Sequence, residues 1–289
     1  MLIAGFPKFL AAFDRYCPFT KYGQLEFHLE TVQRRQEVGS VAAAVSDVTF
    51  LRSLYRTLEA WGIGSRRSRL RPFKEFVAAL QDKTAEIQSF ENLFLDQSDL
   101  DVARVSTQLA HLIQALEIVD NRMKIVPGTK ALHHLLPDLV VPMDREYTQQ
   151  FFGWHNPQFQ NYPERRFAEA FASFVAVAQI TNPVQYLKSG WYSSRTKVID
   201  NAVVGLCCGL KLQWDPTASF GSIDPLNDTP PGCVLPKKIG TRITYSVGSV
   251  PAIITNSLAP RSGVARGARP RVLRGRGPSV VRSSTADHC

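Results

Sequence analysis

Long apolar runs are missing from this 289-residue chain. None approaches the roughly 18 residues that a membrane-spanning helix needs, so no membrane partner is expected. Cysteine is scarce and poorly spaced for chemistry. Cys17, Cys207, Cys208, Cys233 and Cys289 form no paired pattern, and adjacent Cys207 and Cys208 cannot make a CxxC redox or zinc half-site. Such thiols fit buried positions in a reducing compartment. The N-terminal MLIAGFPKFLAAFDRY lacks the charged n-region and cleavage site of a signal peptide and the arginine enrichment of a transit peptide. Cytoplasmic location is the expectation, and Leu2, Ile3, Phe6, Phe9, Leu10 and Phe13 suit a short docking helix.

Sustained period-two alternation is also absent before about residue 213, which argues against a sheet. Nor is positive charge spread over the chain. Of the net +9, +6 falls on residues 259–289 (seven arginines against Asp287), which leaves +3 for residues 1–258. The basic balance is therefore a property of the tail and says little about nucleic-acid binding by the body.

What remains is helical punctuation. Gln24–Val38 reads as an amphipathic helix with Leu25, Leu29 and Val32 on one side. Asp47 is placed to cap a helix whose face runs from Phe50 through Leu54 and Leu58 to Trp61, with Gly62 and Gly64 ending it. Pro72 opens a helix over residues 73–90, and Asp99 or Asp101 begins another carrying Val105, Leu109 and Leu112. Further helices are predicted over Lys130–Leu136, Arg145–Phe152 (capped by Asp144), from Pro163, briefly from Pro183, and over Arg195–Leu210. The fold class is all-α: a single irregular bundle of eight to ten helices over residues 1–210. Residues 211–289, rich in Pro, Gly, Ser and Arg, read as a disordered basic tail, in which TRITYSVGSVPAII could pair as a hairpin. The tail reads as an aberrant C-terminal extension of the reading frame, outside the functional fold.

The stretch Lys124–Phe152 collects the ionisable residues Lys130, His133, His134, Asp138, Asp144, Arg145 and Glu146 between prolines. Placed in the first turn of its helix, Lys130 would have its pKa lowered by the helix dipole, as an amine nucleophile requires. His133 and His134 are neighbours, so on a helix they point about 100° apart and are not expected to chelate one ion together. One is expected to pack inward and the other to meet solvent; no metal and no cofactor is expected. Asp200 and Asn201 sit in an otherwise apolar helix, where they read as a polar lock onto Lys197 or onto the loop before Lys130. Arg66, Arg67, Arg69 and Arg71 follow Trp61 and two glycines as a phosphate-contacting loop, joined by Lys124.

Three segments, Leu54–Gly62, Thr129–Thr148 (TKALHHLLPDLVVPMDREYT) and Ser194–Gly205, resemble an uncharacterised bacterial family over most of residues 25–208. That resemblance implies no activity. A second one does. VPGTK, a short helix and then Pro142-Met143-Asp144 at a helix start are similar to the hairpin, LPGVGxKTA, and the VDTHV-like segment of helix-hairpin-helix DNA glycosylases, although VPGTK lacks that pattern's second glycine. The resemblance implies a glycosylase-like core with DNA as partner. Lys130 would attack the sugar carbon after base loss, and Asp144 would stabilise the developing cation or activate the nucleophile. The competing expectation is a non-catalytic helical scaffold, or a defence-system component, acting through protein contacts.

Overall fold

Helix caps fix most of the boundaries. The computed structural model describes residues 2–21, 23–64, 69–155 and 161–213, with backbone alone for residues 211–213. The expected tail from residue 214, its hairpin, and Arg66 and Arg67 lie outside the described residues. Among the described residues there are eleven α-helices and no strand, with one isolated bridge between Leu70 and Val119. They are α1 (Phe6–Tyr16), α2 (Gln24–Val38), α3 (Val41–Ser46), α4 (Val48–Ala60), α5 (Phe73–Asp82), α6 (Thr84–Gln88), α7 (Val102–Ala115), α8 (Ile125–Leu135), α9 (Arg145–Phe152), α10 (Pro163–Thr181) and α11 (Arg195–Gln213). Single 3-10 turns at Pro183–Tyr186 and Gly190–Tyr192 link the last two helices. No described helix is long and apolar enough to cross a membrane.

Asp47 begins α4 by accepting from the Phe50 amide at 2.7 Å, and Asp101 begins α7 by accepting from the Arg104 amide at 3.1 Å. Each carboxylate satisfies an amide that the first helical turn leaves without a partner. Gly62 and Gly64 adopt positive φ (83° and 116°) directly after α4, so the chain turns away where a side chain would be strained. The helix predicted over residues 73–90 is interrupted at Lys83 into α5 and α6, and the short α3 escapes the pattern altogether.

Two close approaches set the packing. α1 lies along α11, α2 along α4, and α7 along α10. At the first of these, a Cβ on Gly205 would fall 1.9 Å from the Phe9 carbonyl oxygen, so only glycine lets the two backbones touch. The second close approach is that of α8 to α7, where a Cβ on Gly128 would meet the Ile113 Cγ2 at 2.9 Å.

α8 is the element around which the others gather, in contact with α2, α4 and α7. Ten of its eleven residues are buried, including Lys130, His133 and His134. It starts at Ile125 rather than at Lys130. Pro127 and Gly128 are thus helical, not a hairpin turn: a proline in the first turn forfeits no intrahelical bond, because amides there have no acceptor anyway. Lys130 consequently sits in the second turn, and the dipole argument for its pKa does not apply.

Candidate functional site

α2 brings an unexpected face to the core. Leu29 is exposed, and the buried residues are His28 and Thr31. Thr31 shares hydrogen bonds with Ser53 at 3.0 Å and Thr57 at 2.8 Å, so the α2–α4 seam is polar. His28, three residues earlier, points into the heart of the site.

A cavity of about 90 Å³ opens where Trp61, α8, the Pro142–Asp144 segment, Trp191 and α11 converge, with Phe19 and Gln24 on its wall. At about 30 Å³ per water in the liquid, this is room for roughly three water molecules. Lys130 and Asp144 both line it. Lys130 is 6% exposed; its Nζ donates to the Trp61 carbonyl at 3.0 Å and lies 3.5 Å from Asp144 Oδ2. Burial pushes the Lys130 amine below its ordinary pKa, and the carboxylates of Asp144 and Asp200 hold back part of that fall.

Asp144 does two jobs. Its carboxylate caps α9 by accepting from the Glu146 amide at 2.9 Å, while its other oxygen faces Lys130. The Met143 amide donates to Thr129 Oγ1 at 3.1 Å, which pins this segment to the residue just before the lysine.

A second ion pair completes the cavity wall. Lys197 Nζ donates to Asp200 Oδ2 at 2.5 Å, three residues along α11, as the polar-lock expectation allowed. Four rings surround that ammonium, with centroids at 4.9 Å (Trp191), 5.3 Å (Phe19), 5.6 Å (Trp61) and 5.9 Å (Phe13). Their negative faces replace part of the lost hydration. Desolvation raises the Asp200 carboxyl above its ordinary pKa, against the lowering pull of Lys197. Asn201 donates from Nδ2 to the Trp191 carbonyl at 2.8 Å and so holds the turn that presents the Trp191 ring.

Behind this wall lie three imidazoles, His28, His133 and His134, all buried. The expectation that one of the adjacent histidines meets solvent is overturned: α8 is enclosed on every side, so both turn inward. His134 Nδ1 donates to the Lys130 carbonyl at 2.9 Å, which leaves Nε2 as an acceptor 3.0 Å from His28 Nδ1. His28 Nε2 meets Ser193 Oγ at 2.8 Å, and its ring stacks on Trp191 at 5.5 Å. His133 Nδ1 lies 3.2 Å from the Val140 carbonyl and 2.9 Å from Thr196 Oγ1; its Nε2 is buried without a hydrogen-bond partner. Burial drives His28 and His133 well below the ordinary histidine pKa and His134 to about 4, so all three are neutral near pH 7. These nitrogens are the one group among the described residues with the composition and spacing to hold a metal ion.

Comparison with protein-family models, curated proteins and solved structures finds no match. The site is therefore judged on its own chemistry.

Of the expected phosphate loop, the described residues Arg69, Arg71 and Lys124 are not gathered here. Arg71 bonds Glu117 at 2.8 Å and lies near Glu75 and Asp120, while Lys124 bonds the Gln114 carbonyl at 2.8 Å and also Glu117. Both charges are spent bracing the end of α7, and neither lines the cavity; Arg69 is exposed. Residues the sequence did not single out include His28, Trp191, Ser193 and Phe19. For His28 a signal existed: it stands one turn from both Leu25 and Val32 on α2.

Proposed function

We propose that this chain is a nucleic-acid-acting enzyme of the DNA glycosylase/lyase kind, with Lys130 as an amine nucleophile. The observation that carries this reading is the placing of the Lys130 ammonium and the Asp144 carboxylate 3.5 Å apart on one open cavity. A lysine attacks carbonyl carbon only when neutral, and burial favours that state. Asp144 takes the ammonium proton. The free amine then adds to the C1′ aldehyde of a ring-opened abasic sugar. Asp144 returns its proton to the carbinolamine hydroxyl, which leaves as water and gives an iminium; a C2′ proton then passes to the regenerated carboxylate as the 3′ phosphate departs. Trp61 and Trp191 line the same cavity, where an extruded sugar would meet them.

Borohydride reduction of a mixture of the full-length protein and an abasic duplex tests the reading. Reduction converts the iminium to a stable amine, so a cross-linked species is expected with the native chain and none with Lys130→Ala. Equal trapping by both, or none by the native chain, removes the proposal. A non-catalytic scaffold acting through protein contacts draws on another observation, the exposed Ile180, Val184 and Leu187 where α10 gives way to its 3-10 turn. It leaves the cavity's three buried charges, Lys130, Lys197 and Asp200, and the half-buried Asp144 without a purpose, and for that reason ranks second.

A further inference from the structure

We infer that His28, His133 and His134 form a binding site for one divalent transition-metal ion of the zinc type, a site separate from the Lys130 chemistry and independent of it. The donor atoms, one per ring, all lie within 4.8 Å of one another. His28 Nδ1 and His134 Nε2 are 3.0 Å apart, and tetrahedral ligands at about 2.05 Å from zinc stand about 3.3 Å apart. Little movement of these two rings would admit an ion.

The far side of each ring carries the stronger argument. A metal-bound histidine usually donates its other N–H to a carbonyl or hydroxyl, which fixes its orientation. Here all three have that partner. His134 Nδ1 faces the Lys130 carbonyl, His133 Nδ1 the Val140 carbonyl, and His28 Nε2 the Ser193 hydroxyl. That leaves His134 Nε2, His133 Nε2 and His28 Nδ1 as the nitrogens available to an ion. Without a metal, His28 and His134 can satisfy each other through one shared proton, but His133 Nε2 cannot: it is fully buried and has no partner. A buried lone pair of this kind costs stability unless something accepts it. A cation bound by all three nitrogens resolves the defect, and the proton between His28 and His134 moves to His28 Nε2, where Ser193 accepts it.

Charge and composition set the ion's class. Three neutral imidazoles and no thiolate suit zinc, cobalt or nickel in the divalent state rather than calcium or magnesium, which prefer oxygen. Lys197 adds a positive charge nearby, but Asp200 at 2.5 Å cancels it. No fourth His, Cys, Asp or Glu joins the three among the described residues, so the remaining position falls to water or another small ligand.

The test uses full-length protein stripped with a chelator and titrated with zinc or cobalt(II). One equivalent is expected to bind, and X-ray absorption of the zinc form should give three imidazole nitrogens at about 2.0–2.1 Å and no sulfur. His28→Gln should weaken binding by more than about 100-fold, the upper end for losing a mere hydrogen-bond partner of a ligand. Absence of stoichiometric binding, a shell with sulfur or with fewer than three imidazoles, or unchanged affinity in folded His28→Gln overturns the inference. Should that variant not fold, the absorption shell of the native protein decides alone.

Discussion

Acidifying the metal-free protein from pH 7 to pH 4 should weaken its fold by about 3 kcal/mol through His134 alone. Its ordinary pKa of 6.5 falls to about 4 in the folded state because burial penalises the imidazolium. The gap of about 2.5 units, at about 1.36 kcal/mol per unit, gives that figure. The sign follows from proton uptake: below pH 6.5 the unfolded chain protonates while the folded one does not until about pH 4. Stability is therefore complete above pH 6.5 and drains away as pH falls between those values. His28 and His133, driven down by the same burial and by their neighbours, act in the same direction. Asp200 opposes them, since its folded pKa is raised and the folded state holds that proton longer. Three groups outweigh one. Urea midpoints followed by far-UV circular dichroism at pH 7.5, 6, 5 and 4.5 measure the effect, and His133→Phe should flatten the slope. A midpoint that is level or rises on acidification would refute the reasoning, because it would mean the imidazoles are hydrated.

Gly205→Ala should lower stability by about 3 kcal/mol or more, the upper end for overpacking, because the Phe9 carbonyl it strikes is backbone and cannot rotate aside; an unchanged melting temperature would show that α1 does not sit against α11. Gly128→Ala should cost about 1 kcal/mol, at the lower end, since the atom it meets is a side-chain methyl of Ile113. Lys197→Met should cost about 3–5 kcal/mol by leaving Asp200 buried without its cation, and adding Asp200→Asn should recover much of it; denaturant titration of the two variants decides. Asp144→Ser keeps a capping oxygen at the start of α9, so that helix should persist while borohydride trapping falls.

How much was legible depended on whether a residue's partners were near it in sequence. Asp47, Asp101 and Asp144 announce their helices because a cap acts within three residues. The burial of α8 was hidden for the opposite reason. Lys130, His133 and His134 look like a solvated face, and what makes their enclosure tolerable comes from afar: the Trp61 carbonyl, His28, and the Thr196 hydroxyl. Pro127 and Gly128 read as turn punctuation, yet one costs nothing in a first helical turn and the other is required by Ile113. The pairing of Lys130 with Asp144 was anticipated by resemblance; the 3.5 Å contact supplies its geometry without supplying a reaction. The four-ring enclosure of Lys197 could not be read at all, since Phe13, Phe19, Trp61 and Trp191 meet only in three dimensions.

The bonds from His28 to His134 and to Ser193 join residues 106 and 165 positions apart in the chain. Closing loops of that length is costly before any contact rewards it, so the local helices should form first and this knot of rings last. No excised peptide could then reproduce it, and truncation into residues 28–193 from either side would abolish it outright. Any molecule that binds there ties α2 to the segment before α11, and its affinity becomes a gauge of whether the helical bundle has finished folding.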